Sequence, residues 1–280
     1  MLAAAVPLRS IWATTGIVFV LILVIGVTLP ESAVYLLTFG VIWLVLLAVS
    51  KLKQIKVLAY ALVCRTLHGP HISIHFHPNL QGSLQGTGLL DAFESDYADL
   101  VKWFGFALPN RVSIYMMPCV ADVGKIVGRG YGGYAFFREL IIVTFVHDQC
   151  RCVFRHELAH LFAERLGPSK PVFKNEGLCM WFEYGGSAPL LDLRSRQYLE
   201  SCNICELLQS PDEWKDPQVR QLYYLFAGSF TGFLIRHFGW SKFRAFYEVA
   251  KPRGFGKTFD RSFGMTLEEA VARWRDSLDK

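Results

Sequence analysis

The chain has 280 residues, 52% of them hydrophobic, and its mean hydropathy of +0.28 is high for an ordinary soluble domain and points to membrane segments. The formal net charge of +5 and the isoelectric point near 8.8 suit a domain lying against anionic lipid, and suit an ordinary soluble surface equally well. No internal repeat, low-complexity tract or nucleic-acid module occurs, so nucleic acid is not an expected partner.

The N-terminal segment is expected to be a two-helix transmembrane hairpin. Ile11 to Leu29 and Ser32 to Ser50 each lack any charged residue. As helices, each would reach roughly 28 Å, about the thickness of the hydrocarbon core. Pro30-Glu31 would form the turn between them. Arg9 precedes the first span, and Lys51, Lys53, Lys56 and Arg65 follow the second. The positive-inside rule then places the N-terminus and the rest of the chain in the cytoplasm, at a bacterial inner membrane, with the lipid bilayer as a partner. Residues 1–65 are thus read as hairpin and juxtamembrane segment, and 66–280 as a separate domain. The seven cysteines form no evident disulfide framework, which suits a reducing compartment. Cys202-x-x-Cys205 has redox-pair spacing but no βαβ pattern around it, and reads as two ordinary thiols.

Beyond residue 66 the pattern is mixed. His71 to His77 alternates apolar and polar residues and predicts a strand; His71, His75 and His77 share its polar face, which reads as solvated or cleft-lining. Leu89 to Phe106 carries a helical apolar stripe. Arg111 to Met117 reads as a strand, Ala121 to Val127 as a short helix, and Tyr134 to Phe145 as one or two strands. The glycine-rich stretch Gly128 to Gly133 lacks the Gly-Lys-Ser/Thr ending of a phosphate loop and reads as a turn.

The chemistry is concentrated at His156-Glu157-Leu158-Ala159-His160, within an apolar run that predicts a helix. Residues four apart lie on one helix face, so His156 and His160 can offer two imidazole nitrogens to a single metal ion. Zinc suits imidazole and carboxylate ligands, and a catalytic site needs a third protein ligand and an open position. Glu157 sits about 100° round the helix, where it can act as general base on a water. A second helix is expected to start near Glu176, whose carboxylate is the candidate third ligand, with Glu183 as the alternative.

The H-E-L-A-H motif is followed, after fifteen intervening residues, by the glutamate of Asn175-Glu176-Gly177-Leu178. This arrangement resembles the gluzincin zinc metallopeptidases, a superfamily that includes thermolysin and the aminopeptidase-N type, and most of all the bacterial peptidase MA-like group. The resemblance covers His71 to the C-terminus. It implies an α+β, thermolysin-like domain with a mixed sheet and metal helix over about 66–185 and a helical subdomain over about 186–280. It implies Zn²⁺ held one per chain by His156, His160 and Glu176, with Glu157 as the base and a peptide or protein as substrate. It also implies a substrate-binding strand edge in the stretch around Gly133 to Phe137, with Gly133, Tyr134, Ala135 and Phe136 as the candidate residues. Tyr224, on the helix expected over Val219 to Phe238, would donate to the oxyanion, with Tyr223 the neighbour that could take this role instead. The second possibility is a catalytically silent, membrane-tethered zinc-binding scaffold. The oligomeric state is open.

Overall fold

The computed structural model describes residues 40, 42–44, 52–84, 87–128, 132–146, 150–167, 172–186, 189–199, 217–251 and 253–279. The chain divides into two compact units, Met1–Cys64 and Arg65–Lys280. The first contains helix α1 (Leu52–Ala61).

The second unit is α+β, and its strand–helix order follows the hydrophobic periodicity. Strands β1 (Arg65–His68) and β2 (Ile72–Phe76) form an antiparallel pair. A short helical segment, α2 (Gln81–Leu84), leads to α3 (Leu89–Phe104), and α3 crosses over to β3 (Val112–Met117), which lies parallel to β2. Gly105, at φ +75°, ends α3, and its N–H donates to the Val101 carbonyl; an ordinary side chain is strained in that left-handed conformation. Helix α4 (Val120–Val127) then leads to β4 (Gly133–Phe136) and β5 (Ile141–Phe145). Strand β5 runs parallel to β3 and antiparallel to β4, so the sheet order is β1-β2-β3-β5-β4, with β4 at an edge.

Ile72, Ile74, Phe76, Val112, Ile114, Met116 and Ile142 point from one sheet face into the core. Phe93, Tyr97, Leu100 and Phe104 of α3 meet them there, together with Phe154, Leu158, Leu161 and Phe162 of the next helix, α5 (Cys150–Leu166). Helix α5 packs on β4, β5 and α3. The C-terminal part is helical: α6 (Val172–Glu183), α7 (Pro189–Arg196), α8 (Pro217–Phe238), α9 (Trp240–Val249), α10 (Phe255–Phe263) and α11 (Leu267–Leu278). Helices α6 and α8 make the most extensive helix–helix contact. A Cβ at Gly177 would lie 2.6 Å from the Ala227 carbonyl oxygen, and one at Gly228 would lie 2.7 Å from Met180 Cβ. Only glycine permits so close an approach of the two backbones. Thr266 caps α11 in a reciprocal capping box with Glu269.

Three readings change. Helix α6 begins at Val172, so Glu176 sits in its second turn rather than at its start. Helices α7 and α10 have no counterpart in the sequence reading, because eight or nine residues give little periodicity to read. The third change concerns the N-terminus. Residues 11–39, 41 and 45–50 of the two expected spans lie outside the described residues. Among the described residues, no helix is long and apolar enough to cross a membrane. Helix α1 has ten residues, Lys53 and Lys56 among them, which is about half of a span. The 22-residue α8 is interrupted by Arg220, Gln221, Ser229, Thr231 and Arg236. The described helices thus contradict the expected N-terminal transmembrane hairpin, and with it the lipid bilayer as partner and the integral-membrane location.

Candidate metal centre

Two helices build the site. On α5, His156 and His160 lie one turn apart and face away from the sheet-packing residues Leu158 and Phe162. On α6, Glu176 reaches across from its second turn. The Nε2 atoms of His156 and His160 are 3.2 Å apart, and each is 3.4 Å from Glu176 Oε2. All three residues are largely withdrawn from solvent. A tetrahedral ion with ligand bonds of about 2.0–2.1 Å requires ligand atoms about 3.3–3.4 Å apart. The observed triangle meets that requirement, so these three atoms can hold a metal ion. Together, the H-E-x-x-H pair and the distal glutamate have the geometry of a gluzincin-type zinc metallopeptidase active site.

The electrostatics follow from this crowding. Burial acts to lower the basicity of His156, but hydrogen bonds to Glu176 and Glu183 outweigh it and raise its pKa well above the usual imidazole value. Burial pushes the Glu176 carboxyl up, but His160 and His156 outweigh that and hold it well below the usual carboxylate range. Burial dominates at Glu157 and raises its pKa, against the pull of the two histidines.

Glu183 is not positioned as a third ligand. Its Oε2 lies 3.0 Å from Nδ1 of His156, on the far side of the ring from the metal face. A carboxylate there fixes the tautomer and orientation of a metal-ligating imidazole. The two histidines differ in this respect, since His160 Nδ1 is buried with no hydrogen-bond partner among the described residues.

A buried ion network braces this arrangement from behind. Asp96 of α3, at 0% exposure, accepts from Arg151 Nε at 2.9 Å, from Arg151 Nη2 at 3.0 Å and from Arg155 Nη1 at 2.6 Å. Arg155 Nε donates to the Phe182 carbonyl at 2.7 Å. Arg155 precedes His156 in the chain, and Phe182 precedes Glu183. One guanidinium thus ties both ends of the His156–Glu183 contact to α3. Nothing in the local sequence pattern marks Asp96, because it lies 60 residues upstream of His156.

The triad opens into a cleft of about 360 Å³. Gly133, Tyr134 and Ala135 of β4 line one wall, and Phe136 at the end of the strand does not; its ring packs against that of Tyr134 at 4.9 Å. Phe137, just past the strand, takes a place in the wall; 40% exposed, its ring lies 6.2 Å from that of His160. Gly133 allows β4 to approach the metal helix, since a Cβ there would meet Val153 Cγ1 at 2.7 Å and Glu157 Oε1 at 2.9 Å. The opposite wall includes Met180, Arg220 and Tyr224. The Tyr224 ring lies 6.3 Å from that of His156. Tyr223 points into the core and is only 2% exposed.

Phe137 falls within the stretch expected to bind substrate, whereas the sequence reading missed Arg220. Arg220, four residues before Tyr224, could have been found from helical spacing once Tyr224 was placed. His71, His75 and His77 lie outside the cleft. His71 bonds Glu94, His75 meets Thr66 and stacks on Tyr115, and His77 accepts from the Asn79 N–H. The pair Cys202 and Cys205 lies outside the described residues. A scan of protein-family models finds none that matches the chain, and no curated protein matches it.

Proposed function

We propose that the domain is a zinc-dependent peptidase in which His156, His160 and Glu176 hold one Zn²⁺. The observation that carries this reading is the 3.2, 3.4 and 3.4 Å triangle of ligand atoms at the base of an open cleft. Zinc bound there would polarise a scissile carbonyl and lower the pKa of a water. Glu157 is placed beside the two ligands on the cleft wall, where its carboxylate can take the proton of the attacking water and pass it to the leaving amine. Its raised basicity suits a proton carrier better than a free carboxylate would. The Tyr224 hydroxyl is the candidate donor to the oxyanion. Gly133, Tyr134 and Ala135 offer an edge-strand backbone to an extended substrate, because among the described residues β4 pairs with β5 alone.

The test is cleavage of denatured casein by the full chain with and without added zinc, with Glu157→Gln as control. Zinc-dependent cleavage that falls by about 10²–10⁴-fold in the variant, with zinc content unchanged, is expected. Zinc binding without cleavage in either protein would leave a zinc-binding scaffold instead.

A further inference from the structure

Arg220 is the one Lys or Arg among the described residues that line the cleft; the other ionisable groups there are Glu157, Glu176, Glu183, the two histidines, Tyr134 and Tyr224. Arg220 and Tyr224 stand four residues apart on α8, so they leave the same helix face about 6 Å apart along its axis. An extended peptide advances about 3.3 Å per residue. We infer that Arg220 determines substrate specificity by binding a carboxylate one or two residues from the bond that is cut, an inference that rests on the peptidase reading above.

Three considerations converge on a carboxylate. The guanidinium presents a planar fork of donors that matches a carboxylate in two parallel hydrogen bonds, and its five N–H groups can serve more than one partner at once. Glu157 and Glu183 disfavour an anion beside them, and a zinc ion at the triad would be taken up by the scissile carbonyl, so among the described lining residues Arg220 is the side chain that favours a negative group away from the metal, which fixes the register of the chain. Phe137, Met180 and Val153 make much of the remaining wall apolar, and a charge pair is stronger in such surroundings than in water. The carboxylate can be the C-terminal group of a short peptide or an Asp or Glu side chain within a longer one.

The experiment uses the full-length Glu157→Gln protein loaded with zinc, so that peptides bind without being cut. Three pentapeptide libraries are passed over it and the retained peptides counted by mass spectrometry. One is neutral with a free C-terminal carboxylate, one is neutral with a C-terminal amide, and one is amidated with a single Asp or Glu. Enrichment of a carboxylate-bearing library by about tenfold or more over the neutral amide is expected. Arg220→Gln should abolish it and Arg220→Lys should keep part of it. The library that is enriched identifies the source of the carboxylate.

Equal retention of the three libraries, retention of none, or enrichment unchanged in Arg220→Gln would overturn the inference. A loss of zinc in the Arg220 variants would also overturn it, by placing Arg220 in support of the metal. With Glu157 intact, cleavage of neutral amides as fast as of anionic peptides would remove the role of Arg220 and leave the peptidase reading standing.

Discussion

The floor of the cleft and its walls are built differently. On the floor, the ligand groups are held by one another: Glu176 lies against both histidines, Glu183 against His156, and Asp96 and Arg155 brace the helices from behind. The walls are an edge strand, an exposed phenylalanine and one face of α8, and they leave open space between them. A metal site demands fixed ligand positions, whereas a peptide site must admit a chain. The difference predicts two kinds of variant. Floor variants should lose metal or stability, and wall variants should lose turnover or specificity with the metal retained.

The largest effect on stability is expected beneath the floor. Asp96→Ala leaves the buried Arg155 guanidinium with only the longer 3.4 Å contact to the partly exposed Asp99 carboxylate and should cost about 3 kcal/mol, read by urea denaturation. An unchanged midpoint would mean that the network does not hold α3 to α5. On the wall, Tyr224→Phe should lower kcat by about 10²–10³-fold and leave zinc content and KM close to wild type. The same loss in Tyr223→Phe but not in Tyr224→Phe would reverse the assignment of the two tyrosines. Glu183→Gln keeps the shape but weakens the hold on His156 Nδ1, so zinc affinity measured by chelator competition should fall about 10–100-fold. The smallest change is Gly133→Ala. The atoms it meets belong to the side chains of Val153 and Glu157, which can shift, so about 1 kcal/mol of stability is expected to be lost. Turnover should fall more than metal content, because Glu157 is displaced and the ligands are not.

The same contrast explains what could be read in the sequence. His156 and His160 are legible because helical spacing alone places them together. The α+β pattern and the mixed sheet follow from the alternation in β2 and β3 and the apolar stripe of α3. Glu176 is legible as a carboxylate on a second helix downstream of the histidines, but its position in the second turn of α6 depends on a helix start that Val172-Phe173 does not signal. The walls are assembled from β4 and α8, more than 80 residues apart, and no local period records that meeting. Phe136 and Phe137 illustrate the point: one step along the chain decides which aromatic faces the cleft. The membrane hairpin shows the opposite failure. Hydropathy counts over residues 11–50 gave a firm local signal, but no described helix has the length and apolarity of a span.

The central claim is a three-ligand zinc site, and metal content tests it most directly. The full chain and its Glu176→Ala variant would be purified in parallel and zinc per chain determined. About one zinc per chain in the wild type, with a clear loss in the variant, is predicted. A folded wild-type protein without zinc, or a variant that retains it fully, would contradict the site built from His156, His160 and Glu176.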